Sequence, residues 1–177
     1  MDELNQISQT LALSMGAAWG SGINLYATLL TLGYLAHTGH IDLPPDLLIV
    51  ADPLVMTAAG LMYAVEFFAD KVPGVDTGWD TIHTFVRIPA GALLAAGAIG
   101  DIGPAAEIAA AIVGGSLAGA THATKTGSRA LINISPEPFP NWTHSIMEGI
   151  DVLAGIRTSI PLTSFFWVVL VYFILLM

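Results

Sequence analysis

Long uncharged stretches alternate along the chain with short clusters of proline, glycine and charge, and this pattern predicts helices of membrane length. The run Ile160 to Met177 has 18 residues and no charge, within the roughly 17 to 25 residues that cross a hydrocarbon core. Leu11 to Ala36 is uncharged over 26 residues. It is interrupted by Gly16, Gly20, Ser21, Gly22 and Asn24, which predict a spanning helix with a close-packed or locally opened middle. Between these runs lie Leu47 to Phe68 after Pro44 and Pro45, Ile82 to Ile99 after Pro73 and Gly74, and Ile108 to Thr124 after Gly103 and Pro104. Each has spanning length once its ends are included. A shorter segment, His144 to Arg157, carries Glu148 and Asp151 and reads either as a sixth span or as an interfacial helix. The expected fold is therefore an all-α integral membrane protein of about six transmembrane helices in one domain, residues 1–177.

Gly16-x-x-x-Gly20 and Gly115-x-x-x-Gly119 each precede a polar patch, Asn24 to Thr28 and His122 to Thr126. Two halves of three helices, residues 5–100 and 104–177, would then be related as a three-plus-three inverted repeat. The same glycine spacing also serves close helix packing or self-association.

Composition sharpens the class. Of the 177 residues 54% are hydrophobic and only 11% charged, against about 25% charged in ordinary soluble domains, and mean hydropathy is +0.71. Five Lys and Arg against fourteen Asp and Glu give no basic footprint for nucleic acid. Cysteine is absent, which removes disulfides, thiolate nucleophiles and cysteine-ligated metals. The start Met1-Asp2-Glu3 lacks the positive region of a signal peptide, so the first helix is expected to be retained. If six helices alternate, both termini share a side with Lys71, Lys125 and Arg129, while Asp42, Asp46, Asp52, Asp101 and Glu107 fall opposite. The positive-inside rule then places both termini in the cytoplasm.

The candidate chemistry lies in polar residues at helical spacing. Asp76, Asp80, His83 and Arg87 share one helix face; Tyr63, Glu66 and Asp70 share another; His122, Lys125 and Arg129 continue a small-residue stripe; and His144, Glu148 and Asp151 align. A mid-bilayer charge costs several kcal/mol, so these groups should face one another or water. Six acids (Glu66, Asp70, Asp76, Asp80, Glu148, Asp151) meet five bases (Lys71, Arg87, Lys125, Arg129, Arg157), a nearly balanced set. Two readings stay open: a structural ion-pair network, and a polar path for protons, ions or a small solute.

In the second reading Glu66, Asp70 and Asp80 bind the cation or proton, His83 and His122 relay or ligate, and Lys71 and Arg87 tune the carboxylates. Asn24 opens backbone carbonyls at a break in the first helix. Lys125, Glu148 and Asp151 complete the candidate site. Glu66, Asp70, Asp80 and His83 are the metal-ligand candidates, although the neighbouring Lys71 and Arg87 compete for the same carboxylates. The sequence does not identify a cofactor. No nucleophile or phosphate-loop motif appears, and an intramembrane enzyme would have to recruit Ser145 or Thr84. Expected partners are the lipid bilayer and either a second copy or a larger membrane complex in which the chain is an accessory subunit.

The run Glu66-Phe-Phe-Ala-Asp70-Lys71-Val-Pro73-Gly-Val-Asp76, continuing to Trp79-Asp80-Thr-Ile-His83-Thr84 and Arg87, resembles the bacterial membrane family catalogued as domain of unknown function 4126. Gly20-Ser-Gly22-Ile-Asn24 and Ser145-Ile-Met-Glu148 are similar to it too. The resemblance implies a small multi-helix membrane protein. It groups Glu66, Asp70, Lys71, Asp76, Asp80, His83 and Arg87 as one constellation, and it carries no activity with it.

Overall fold

A computed structural model describes residues 2–72, 74–132 and 139–159. Within them the chain forms five α-helices: α1 (Asp2–His37), α2 (Pro53–Ala69), α3 (Val75–Ile99), α4 (Pro104–Ile132) and α5 (Phe139–Ser159). Short 3-10 turns occupy Pro45–Ala51 and Gly100–Ile102. The expected helix at Ile160 to Met177 lies outside the described residues.

α1 departs from the expected through-going span. Its backbone leaves helical values at Asn24 (φ −151°, ψ 102°), and the chain folds back there. A methyl group on Gly20 would lie 2.6 Å from Thr28 Oγ1, whereas residues eight apart on a straight helix are separated by about 12 Å along the axis. Leu13 and His40 line one cavity, although a continuous helix would hold them about 40 Å apart. α1 is thus a hairpin of two helical arms, 2–23 and 25–37, with Asn24 at its tip. Asn24 makes this turn because its side chain can replace a missing helical bond: Oδ1 accepts the Ala27 N–H at 2.9 Å and so caps the second arm. Thr28 Oγ1 donates to the Asn24 carbonyl at 2.9 Å.

The reversal changes the topology. The outer ends of both arms meet the 38–44 loop and Ala98 near the end of α3, beside Asp42. The N-terminal arm therefore starts at the acidic end, opposite Lys71 and Arg129. The alternation that would place the N-terminus with those bases does not hold, because the first hydrophobic run returns to the side it came from.

The Leu47 to Phe68 run is likewise two pieces. The turn Pro45–Ala51 and α2 meet at a bend of 63°. Pro53 has no N–H and disfavours a helical Asp52, which sits at φ −65°, ψ 131° and accepts the Leu54 N–H at 2.8 Å. The other helices outrun their hydrophobic cores: α3 and α4 begin before Ile82 and Ile108, and α5 extends to 21 residues. Among the described residues, Gly78–Ile99 and Pro104–Arg129 are each long and apolar enough to cross a membrane, and the bent pair makes a third candidate.

Small residues hold the bundle together. α3 and α4 run antiparallel, and a side chain on Gly91 would strike Ala118 Cβ while one on Gly114 would strike Ala95 Cβ. Ala95 and Ala118 are fully buried. The first arm of α1 lies against this pair: Ser14 donates to the Ala95 carbonyl at 2.9 Å and Ser21 to the Arg87 carbonyl at 3.1 Å. Gly22 approaches the Ala118 carbonyl so closely that a methyl there would lie 2.5 Å from it. Gly115 and Gly119 face Ala92 and Ile88, so the α4 glycine seam is used within one chain.

Candidate functional site

The tip of the hairpin points into a buried cluster of charges contributed by every other helix. Breaking α1 at Asn24 releases the carbonyls at the end of the first arm, where the helix dipole is negative. Two cations fill that position. Arg87 Nη1 donates to the Ile23 carbonyl at 2.9 Å and the Gly22 carbonyl at 3.2 Å, and Lys125 Nζ donates to the Ile23 carbonyl at 2.9 Å.

Carboxylates surround the same cations. Glu66 Oε1 pairs with Arg87 Nη2 and with Lys125 Nζ at 3.1 Å. Lys125 also reaches Glu148 Oε2 at 3.1 Å. Arg129 binds both oxygens of Glu148 at 3.1 Å, Asp70 Oδ2 at 2.5 Å and Ser145 Oγ at 3.3 Å. Asp80 stands farther off, its Oδ1 3.9 Å from Arg87 Nη2. Glu66, Asp70, Asp80, Arg87, Lys125, Arg129 and Glu148 are all buried, Glu66 and Arg87 completely. The helical spacing read from the sequence does place these groups on facing surfaces. Glu66 Oε2, Asp70 Oδ1 and Asp80 Oδ1 accept no hydrogen bond.

The histidines have defined roles. Arg87 is a donor only, so its contact to His122 Nδ1 at 3.2 Å makes that nitrogen an acceptor and puts the ring proton on Nε2. From there it faces Thr84 Oγ1 at 2.8 Å and the Asp80 carbonyl at 3.1 Å. His122 in this tautomer cannot take a proton from Thr84, which removes the one histidine that could activate that hydroxyl. His83 donates from Nδ1 to the Trp79 carbonyl at 2.8 Å, faces Tyr26 Oη through Nε2 at 3.0 Å, and stacks on the Trp79 ring at 4.2 Å between centroids. His144 Nδ1 lies 2.9 Å from Glu148 Oε1.

The remaining candidates sit at the edge. Lys71 donates to the Phe67 carbonyl at 2.8 Å and lies over the Phe67 ring. Partial burial lowers its pKa, with the Asp70 carboxylate acting the other way. Asp151 is exposed and lines a cavity of about 140 Å³ with Ile23, Thr121, Lys125 and Glu148. Asp76 falls in the first turn of α3, and its side chain lies outside the described set. Among the described residues no three His, Asp or Glu groups are placed to hold a metal ion: Glu66 and Asp80 face Arg87, Asp70 faces Arg129, and His83 faces Tyr26.

Arg129 and Ser145, named in the sequence only as a helix-face cation and as a candidate hydroxyl, join the site together with Tyr26 and Trp79, which the sequence did not place there. Arg129 was within reach, since it follows His122 and Lys125 at helical spacing. Tyr26 was not, because only the fold-back of α1 brings it to His83. A second cavity, of about 510 Å³, lies at the acidic end between Gln6, Gln9, Thr10, His40 and Asp42.

A broken hairpin whose freed carbonyls meet buried, paired charges, set among helices apolar enough to cross a membrane, defines an all-α protein with a polar centre in an apolar shell. The chain belongs to the family described as Domain of unknown function (DUF4126), which matches residues 11–177. No curated protein and no solved structure matches the chain.

Proposed function

We propose that this protein is a small transporter or channel for an ion or small polar solute, with its site at the tip of the α1 hairpin. The observation that carries this reading is the break at Asn24 beside the buried cluster. Non-helical backbone at membrane depth is tolerated where it is enclosed by protein or lines a water-filled path, and interrupted helices recur at the ion sites of transporters. In this reading the bundle is an integral protein of a bacterial inner membrane, with the α1 hairpin entering and leaving on one side. The Lys71 and Arg129 end faces the cytoplasm by the positive-inside rule, and the N-terminal arm starts on the other side. Association with a second copy or a larger complex belongs to the same proposal.

The test is flux into proteoliposomes, screening protons, monovalent and divalent cations and small anions. Wild type is expected to move one of them faster than empty liposomes, with the rate falling at least tenfold in Glu66→Gln and in His83→Ala. No flux above empty liposomes, or unchanged flux in both folded variants, contradicts the reading.

One observation favours a second reading, an accessory subunit whose charges only fix helix register: Arg87, Lys125 and Arg129 all have carboxylate partners. Neutralising Asp80 and Arg87 together would then leave the host complex active.

A further inference from the structure

Counted over the described residues, four buried carboxylates, Glu66, Asp70, Asp80 and Glu148, face three fixed cations, Arg87, Lys125 and Arg129. At the edge Lys71 and the exposed Asp151 carry opposite charges and leave that difference unchanged. An unmatched charge in an apolar interior is costly, so a fourth cation is required. Two of the histidines do not supply it. His122 accepts from Arg87 and is neutral. His83 donates from Nδ1 to the Trp79 carbonyl and meets at Nε2 a Tyr26 hydroxyl able to donate, so a neutral ring satisfies both contacts.

His144 differs. Its Nδ1 lies 2.9 Å from Glu148 Oε1, an ion-pair contact off the line of a hydrogen bond. Its Nε2 lies 3.2 Å from Ser128 Oγ. The one hydroxyl proton of Ser128 goes to the Lys125 carbonyl at 2.8 Å, so Oγ meets the ring as an acceptor. A ring whose two nitrogens both face acceptors carries both protons, and the imidazolium supplies the fourth positive charge. The charged and titratable groups around it are Glu148 and Asp151 on its own helix, Lys125 and Arg129 from α4, and Asp70 and Tyr63 from α2. Asp70 is reached through Arg129, and the Tyr63 hydroxyl lies against Gly149. α1 presents the apolar Ile23.

His144 is also where this network meets solvent. Its side chain is 25% exposed, against 3%, 5% and 6% for Lys125, Arg129 and Glu148. It lines the cavity of about 140 Å³ with Ser128, Lys125 and Glu148, a space of about four to five water volumes. Lys125 joins that cavity to the Ile23 carbonyl at the hairpin tip. We infer that His144 is the proton-exchange site of the cluster, so that a proton is the ion coupled to movement at the tip. Nδ1 is enclosed against Glu148, and the exchange therefore runs through Nε2. The Nε2–H bond breaks, the proton passes to a water in the cavity, and the bonding electron pair stays on the ring. Ser128 Oγ then turns its own proton from the Lys125 carbonyl to Nε2, and the cluster holds one excess negative charge until a proton returns. The inference rests on reading the cluster as a transport site and names the ion that this site exchanges.

Nitrogen NMR of labelled histidine distinguishes imidazolium from both neutral tautomers. The chain has five histidines, and His37→Gln with His40→Gln removes the two exposed ones outside the cluster. In that background, reconstituted as the full chain in liposomes, one imidazolium is expected at pH 5.5, converted to a neutral ring at pH 9 and absent after His144→Gln. The same proteoliposomes on a solid-supported membrane are expected to displace charge after a pH jump, with the transient at least tenfold smaller after His144→Gln. Three neutral rings at pH 5.5 in the folded protein overturn the inference without any further variant. An imidazolium signal unchanged by His144→Gln overturns it too, as does an undiminished transient in folded His144→Gln. Solute flux that persists in folded His144→Gln with no dependence on pH overturns the inference and keeps the transport reading. The imidazolium and the transient without flux of any solute support the proton site and remove the transport reading.

Discussion

At the residue scale, Arg87 binds the most groups and so carries the largest consequence. It is fully buried and joins the hairpin tip, Glu66 and His122. Removing one partner of a buried ion pair leaves the other uncompensated, at a cost of about 3 to 5 kcal/mol, while removing both can be nearly neutral. Arg87→Met is therefore expected to destabilise the protein by that amount in detergent unfolding, and Arg87→Met with Glu66→Met by distinctly less. Equal losses in the single and double variants would show that the pairing is not what holds these side chains. The residues of this network were legible as types and spacings: Asp80, His83 and Arg87 are three and four apart and all are buried. Their pairings were not, because helical spacing states which face a group occupies and says nothing about the height at which another helix meets it.

The hairpin is the decisive element. Gly20, Gly22 and Asn24 marked the weak point of the first hydrophobic run, but interruption alone does not distinguish a kink from a reversal. That choice is made by the partners: Gly22 against Ala118, Gly20 against Thr28, and two cations on the freed carbonyls. Pro53 was visible in the second run and its effect follows from the missing N–H, yet an uncharged window of spanning length hides a bend of 63°. Because the chain has no cysteine, single-cysteine variants report topology directly. Gln9→Cys and His40→Cys are expected to react with a membrane-impermeant reagent from the same side, and Val72→Cys from the opposite side. Labelling of Gln9→Cys from the Val72 side would contradict the fold-back.

For the whole molecule, the helical architecture, the presence of helices apolar enough to cross a membrane, and the family are legible in composition and motif. The orientation of the N-terminal arm is not, because it depends on whether the first run crosses or returns. In the transport reading water reaches the cluster at the hairpin tip, whereas an accessory subunit holds it as a sealed network. Thr121 and Ser14 are equally buried, but Thr121 lines the cavity at Lys125 and Glu148 while Ser14 is bonded to α3 between packed helices. The most direct measurement is the rate at which a small cationic thiol reagent modifies Thr121→Cys and Ser14→Cys in intact membranes. Thr121→Cys is expected to be modified at least tenfold faster than Ser14→Cys. Equal inertness of the two would contradict the transport reading.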